Sequence, residues 1–141
     1  MMAGRLTLGI VKPDAVGAGK LGQILAHIEG KGFTVREARL VNLTRTQAEE
    51  FYDVHRGRPF YEELVSFMTS GPCFPMALEA PDAVTAFRAA IGATDPAEAA
   101  EGTIRNLFAE SKGRNAVHGS DSDDNAAREI AFFFATASAS A

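Results

Sequence analysis

The chain predicts an α+β sandwich, a sheet built in βαββαβ order with helices on one face. Three observations lead there. Four short segments have strand character, stretches of helical periodicity separate them, and no internal repeat or linker divides the 141 residues.

Arg5 to Val11 alternates, with Leu6, Leu8 and Ile10 on one face, and reads as the first strand. Lys12-Pro13-Asp14 stops it, because proline cannot continue a central ladder. Leu21, Ile24, Leu25 and Ile28 then follow helical spacing until Gly30-Lys31-Gly32 closes the helix. Phe33 to Val41 is the second expected strand. Thr44-Arg45-Thr46-Gln47 matches a capping box and opens a helix through Phe51 and Tyr52. Tyr61, Leu64, Val65 and Met68 mark another helix, ended by Ser70-Gly71-Pro72. Cys73 to Leu78 is the third strand, with Pro75 awkward inside it. Pro81-Asp82 starts a helix with Val84, Phe87 and Ile91 turned inward. A long, mostly irregular connection follows Gly92, with a helical turn near Ile104 to Phe108. Ala116-Val117 is the last strand. In the final helix, Ala126, Ile130, Phe133 and Phe134 form one apolar stripe. One domain is expected over residues 1–134, with a short tail of small and polar residues over 135–141.

Composition narrows the function. A hydrophobic fraction of 46% and a charged fraction of 23% are ordinary for a globular protein. The net charge of −4 argues against dedicated nucleic-acid binding and against an anionic membrane, both of which need a basic face. Cys73 is the single cysteine, so neither a disulfide framework nor a thiolate metal site is expected. No apolar run approaches membrane-spanning length, and a cytoplasmic location is expected.

The most informative stretch is Asn115-Ala116-Val117-His118-Gly119-Ser120-Asp121-Ser122. His118 stands between a strand end and a helix N-terminus, where backbone N–H groups and the helix dipole favour phosphate. Gly119, lacking a Cβ, is expected to let the backbone approach a ligand. Neutral imidazole is a competent nucleophile. Glu129 borders the apolar stripe of the last helix, so its carboxylate can turn back toward the strand. A carboxylate bonded to one ring nitrogen leaves the other as a lone-pair nucleophile. Singly, a histidine is more often a satisfied core residue, and a helix glutamate is often merely solvated.

Other features point to an anionic substrate. Lys12 ends the first strand, Arg88 tracks the apolar face of a helix, and Arg105 lies in the long connection. If the fold gathers them at His118, they would bind a polyphosphate and stabilise charge on a transferring phosphoryl group. Phe60, just before a helix, could stack on a base or serve as a hydrophobic staple. His27 and His55 show no partner pattern, and no His/Cys/Asp set has the spacing of a dedicated metal cage. Gly17-Ala18-Gly19-Lys20-Leu21-Gly22 matches the dinucleotide fingerprint G-x-G-x-x-G, but five residues separate it from the strand where the turn is needed at once.

Asn-x-x-His-Gly-Ser-Asp-Ser at 115–122 resembles the nucleoside diphosphate kinase family. The likeness extends through Lys12-Pro13-Asp14, Arg58-Pro59-Phe60, Ser70-Gly71-Pro72, Gly92-Ala93-Thr94-Asp95-Pro96, Gly102-Thr103-Ile104-Arg105 and Glu129-Ile130. The resemblance implies a ferredoxin-like βαββαβ domain with a four-stranded antiparallel sheet. It implies ping-pong transfer of the γ-phosphoryl group from a nucleoside triphosphate to a nucleoside diphosphate, carried on His118. Glu129, assisted by Ser120, would orient the ring. Lys12, Thr94, Arg88, Arg105 and Asn115 would hold phosphate and ribose, and Phe60 with Leu64 would hold the base. Mg²⁺ would arrive with the nucleotide. A homo-oligomer, tetramer or hexamer, is also implied. Pro75, Gly9 and the Ala/Ser tail depart from the family pattern, with consequences expected for assembly more than for chemistry.

Overall fold

The computed structural model describes residues 4–140, with side chains described through Phe134. The expected tail over 135–141 falls outside the residues described in full. Four strands, β1 (Leu6–Val11), β2 (Thr34–Ala38), β3 (Phe74–Glu79) and β4 (Val117–Gly119), form one sheet in the order β2-β3-β1-β4. Every neighbouring pair is antiparallel. Seven helices accompany them: α1 (Pro13–Gly17), α2 (Leu21–Gly30), α3 (Arg45–Phe51), α4 (Tyr61–Met68), α5 (Ala83–Ile91), α6 (Ile104–Phe108) and α7 (Asp123–Ser140). A 3₁₀ turn, Asp53–His55, follows α3.

The sheet is covered on both faces, where one was expected. Met76 and Leu78 of β3 face Ile24 and Ile28 of α2 and Phe87 and Ile91 of α5. The opposite face carries Leu8, Ile10 and Ala77, packed against Phe51 of α3, Val65 and Met68 of α4, and Phe133 and Phe134 of α7. The crossover helices α2 and α5 therefore share a face, as βαββαβ order requires. The helices inserted between β2 and β3, together with α7, bury the other. This makes β1 central on both sides: beyond Leu6 all its residues are buried.

Local chemistry accounts for most boundaries. The Thr44 hydroxyl accepts from Gln47 N–H and the Gln47 side chain accepts from Thr44 N–H, completing the capping box of α3. Pro13, which stops β1, also sits in the first turn of the unforeseen α1, where its missing N–H is harmless. β2 is shorter than the expected Phe33 to Val41, and only the isolated bridge Val41–Cys73 prolongs its pairing. Its register shifts between Val35 and Glu37, a bulge on the partner strand rather than at Pro75. The Pro75 carbonyl accepts from Arg39 N–H, so the nitrogen without a proton faces the β2 side just past Ala38, where that strand has ended. Little ladder is lost there.

Gly9 and Gly119 are direct partners across β1 and β4. A Cβ on Gly9 would lie 2.9 Å from Cζ of Phe87, and one on Gly119 would lie 3.0 Å from Cδ2 of the same ring. The rung is thus a seat for Phe87. The space expected to admit a ligand at Gly119 is filled by this ring and by Ile91.

Candidate active site

Ser122 caps α7: its hydroxyl accepts from Asn125 N–H at 3.1 Å. One turn further, the stripe of Ala126, Phe133 and Phe134 is buried, which fixes the rotation of the helix and turns Glu129 toward the sheet. Glu129 is buried there, only 6% exposed. His118 Nε2–H donates to Glu129 Oε1 at 2.9 Å, and Ser120 Oγ–H donates to the same oxygen at 2.7 Å. A carboxylate only accepts, so the ring proton resides on Nε2 and the lone pair on Nδ1. Among the described residues Nδ1 takes part in no hydrogen bond. Ser120 Oγ in turn accepts from Leu8 N–H at 3.2 Å, which ties the pair to the central strand. Phe51 packs edge-on against the imidazole with centroids 5.8 Å apart. Arg128 brings its guanidinium to 3.7 Å from the other Glu129 oxygen.

The residues leading into β4 are bent sharply. Val117 N–H donates to Asn115 C=O at 2.8 Å, and Ala116 between them has φ +73°. That is a γ-turn of the positive-φ form, rare for a residue with a Cβ and strained by about 1–3 kcal/mol. Both polar groups of Ala116 are held by the segment after β1. Lys12 N–H donates to Ala116 C=O at 2.8 Å, and the Asp14 carboxylate accepts from Ala116 N–H at 3.0 Å.

The three cations do converge, each on an alternate residue of the 115–119 strand segment. Lys12 Nζ donates to Asn115 Oδ1 at 3.0 Å. Arg105 donates to Val117 C=O at 2.8 Å and to Gly92 C=O at 3.0 Å. Arg88 reaches Gly119 C=O at 3.4 Å. Asn115 Nδ2 extends the network to Thr94 C=O at 3.5 Å. Burial pushes the Lys12 ammonium down to about 8, assisted by nearby Arg105 and opposed by Asp14. Burial, with Arg88 second, lowers Arg105 to about 10. Among the described residues Arg105 Nε is buried without a partner.

Phe60 and Leu64 stand apart from this network, at the start of α4. Phe60 is exposed and lies edge-on to His55 with centroids 5.3 Å apart, whereas Leu64 is half-buried against the core. An open groove lined by Thr46, Glu49, Glu50, Asp53, Val54, Arg56 and Arg128 meets the site at Arg128. Sequence reasoning missed Asp14, Phe51 and Arg128. Asp14 was visible in Lys12-Pro13-Asp14, but only as the end of a strand and as part of the family likeness, with no role of its own. Among the described residues no three His, Cys, Asp or Glu side chains are close enough to hold a metal, and no helix is long and apolar enough to cross a membrane.

Residues 5–139 match the family profile described as nucleoside diphosphate kinase. A nucleoside diphosphate kinase of Chlorobium chlorochromatii is 59% identical over 130 residues, spanning 92% of this chain and 93% of the relative. One from Sorangium cellulosum is 55% identical over 134 residues, spanning 95% and 93%. Among solved structures, the Aquifex aeolicus nucleoside diphosphate kinase superposes with a TM-score of 0.90 at 47% identity, covering 92% of this chain and 94% of that one. The Encephalitozoon cuniculi enzyme, in its apo form, gives 0.87 at 35% identity, covering 92% and 88%. Fold and likeness together define a phosphotransferase on a ferredoxin-like α+β scaffold. The chain belongs to the nucleoside diphosphate kinase family.

Proposed function

We propose that the protein moves a γ-phosphoryl group from a nucleoside triphosphate such as ATP to a nucleoside diphosphate by a ping-pong route through His118. The observation that carries this reading is the bond of 2.9 Å from His118 Nε2–H to a buried carboxylate that also receives Ser120 at 2.7 Å. It leaves Nδ1 as the nucleophile. The Nδ1 lone pair attacks the γ-phosphorus, the bond from phosphorus to the β,γ-bridging oxygen breaks, and the diphosphate leaves with that electron pair. The acceptor's terminal phosphate oxygen then attacks the phosphohistidine in the reverse sense. Glu129 holds the ring in one tautomer and stabilises its positive charge as the N–P bond forms.

Lys12, Arg88 and Arg105 would meet the charge spread over the transferring oxygens, and Thr94 and Asn115 would complete the phosphate and ribose contacts. Phe60, already exposed, offers a face on which any base can stack, with Leu64 beside it. Mg²⁺, arriving with the nucleotide, would supply further charge neutralisation to the phosphates. By the family likeness we also read the protein as a cytoplasmic homo-oligomer, a tetramer or a hexamer.

The test is to incubate the protein with γ-labelled ATP and no acceptor. Acid-labile, alkali-stable label that GDP discharges is the expected result, and His118→Asn should abolish it while still binding nucleotide. A wild-type protein that binds ATP yet takes no label would overturn the proposal.

A further inference from the structure

We infer that Asp14 is a positioning residue for this site, clamping the strained turn that presents Asn115 and His118 while supplying the counter-charge to Lys12. The inference rests on the phosphotransfer reading above. An acidic residue in the first turn of a helix ordinarily serves its own helix. Asp14 does something else. Its Oδ2 accepts from Ala116 N–H, 102 positions away in sequence, in a contact that is buried from both sides. The accepting carboxylate meets the one described residue besides Asp82 that has a side chain and a positive φ. Without an acceptor, the buried Ala116 N–H would lose its partner, and the turn would keep φ at +73° only through the Val117 N–H and Lys12 N–H bonds. Relaxing it would swing Asn115 on one side and β4, with His118, on the other.

The same carboxylate also favours the proton on Lys12, with no ion pair between the two among the described residues. Asp14 Oδ1 is buried with no hydrogen-bond partner among the described residues. Groups facing Lys12 are Asn115 from the turn, Arg105 from α6 and Asp14 from α1. Arg114, just before the turn, also senses Asp14. Of the charged groups at Lys12, Arg105 disfavours its proton and Asp14 favours it. One side chain thus helps to hold the turn and favours the proton of the lysine at its foot.

Two substitutions separate these roles. Asp14→Asn keeps an oxygen for Ala116 N–H but removes the charge; Asp14→Ala removes both. Three readouts apply to each: the Lys12 Nζ titration by NMR, hydrogen exchange at the Ala116 amide, and the rate of His118 labelling from γ-labelled ATP as a function of pH. In Asp14→Asn the Lys12 midpoint and the alkaline limb of labelling should fall together by about one pH unit, with Ala116 exchange near that of wild type. In Asp14→Ala, Ala116 exchange should accelerate as well, and labelling should slow by about 10²-fold at every pH, the scale of a misplacement near 1 Å. A merely structural aspartate would move neither the Lys12 midpoint nor the alkaline limb. Unchanged Lys12 titration and unchanged Ala116 exchange would overturn the inference, whatever the labelling rate. Should Asp14→Ala fail to fold, Asp14→Asn decides by its titration. A wild-type protein that does not label sinks the phosphotransfer reading, while the titration and the exchange still decide the clamp.

Discussion

On the α7 side of β4, His118, Glu129 and Ser120 are joined by bonds of 2.9 and 2.7 Å and anchored to Leu8 of the central strand. On the α5 and α6 side, Lys12 and Arg105 are buried cations whose protons are disfavoured, and Arg105 Nε has no partner among the described residues. One half of the site is satisfied as it stands. The other holds cations whose charge is disfavoured, chiefly by burial. On the proposed function, the difference teaches how the two halves divide the work. A nucleophile must be in one tautomer and one orientation before substrate arrives, so its bonds are made in advance. A phosphate clamp gains its affinity from groups that improve on binding, so it tolerates an unfavourable resting state.

The comparison can be broken most sharply at Glu129. Glu129→Gln should slow His118 labelling by about 10²- to 10⁴-fold, because an amide can also donate and so permits the wrong imidazole tautomer. Nucleotide affinity should change little, as measured by calorimetry. A comparable loss of affinity would show that the two halves are not separable.

A middle-sized effect belongs to the cations. With Lys12 near 8 in the free protein, a bound polyphosphate raises its affinity for a proton, so binding at pH 8 should take one up in part. Calorimetry in buffers of different ionisation enthalpy measures this, and heats independent of buffer would contradict it. The sign for stability follows from the same value. The unfolded chain holds this proton up to 10.5 and the folded chain only to about 8. The contribution of Lys12 to the stability of the unliganded protein therefore rises as pH climbs from about 8 to 10.5.

The smallest effect is at the rim. Phe60→Ala should weaken nucleotide binding by about 1–3 kcal/mol, the usual worth of stacking on one base. Because Phe60 is 44% exposed, unfolding stability should move by no more than about 0.5 kcal/mol. A large loss of stability would make Phe60 a structural residue instead.

Much of the satisfied half was legible from the sequence because it is local. His118, Ser120 and Glu129 lie within one strand and one helix, and the periodicity of Ala126, Phe133 and Phe134 places Glu129 near the sheet. The capping box at Thr44 was readable for the same reason. Lys12 and Asn115 are 103 positions apart, and only the pairing of β1 with β4 joins them. Asp14 looked like punctuation after a strand, since its partner is a backbone N–H that no composition reveals. The second covered face was hidden by alternation in β1. Thr7 and Gly9 resemble an outward face, yet Thr7 is fully buried and Gly9 is filled by Phe87.

That last contact reaches beyond packing. Phe87 and Arg88 are adjacent on α5, and the ring rests against the Gly9–Gly119 rung while the arginine reaches the Gly119 carbonyl at 3.4 Å. The thickness of the helix–sheet layer is therefore the length of the arm that holds Arg88 over the strand. A methyl on either glycine would lift α5 and carry the guanidinium away with it, altering the phosphate contact proposed for Arg88 from a position that touches no substrate. Two residues with no side chain set the gauge of the site.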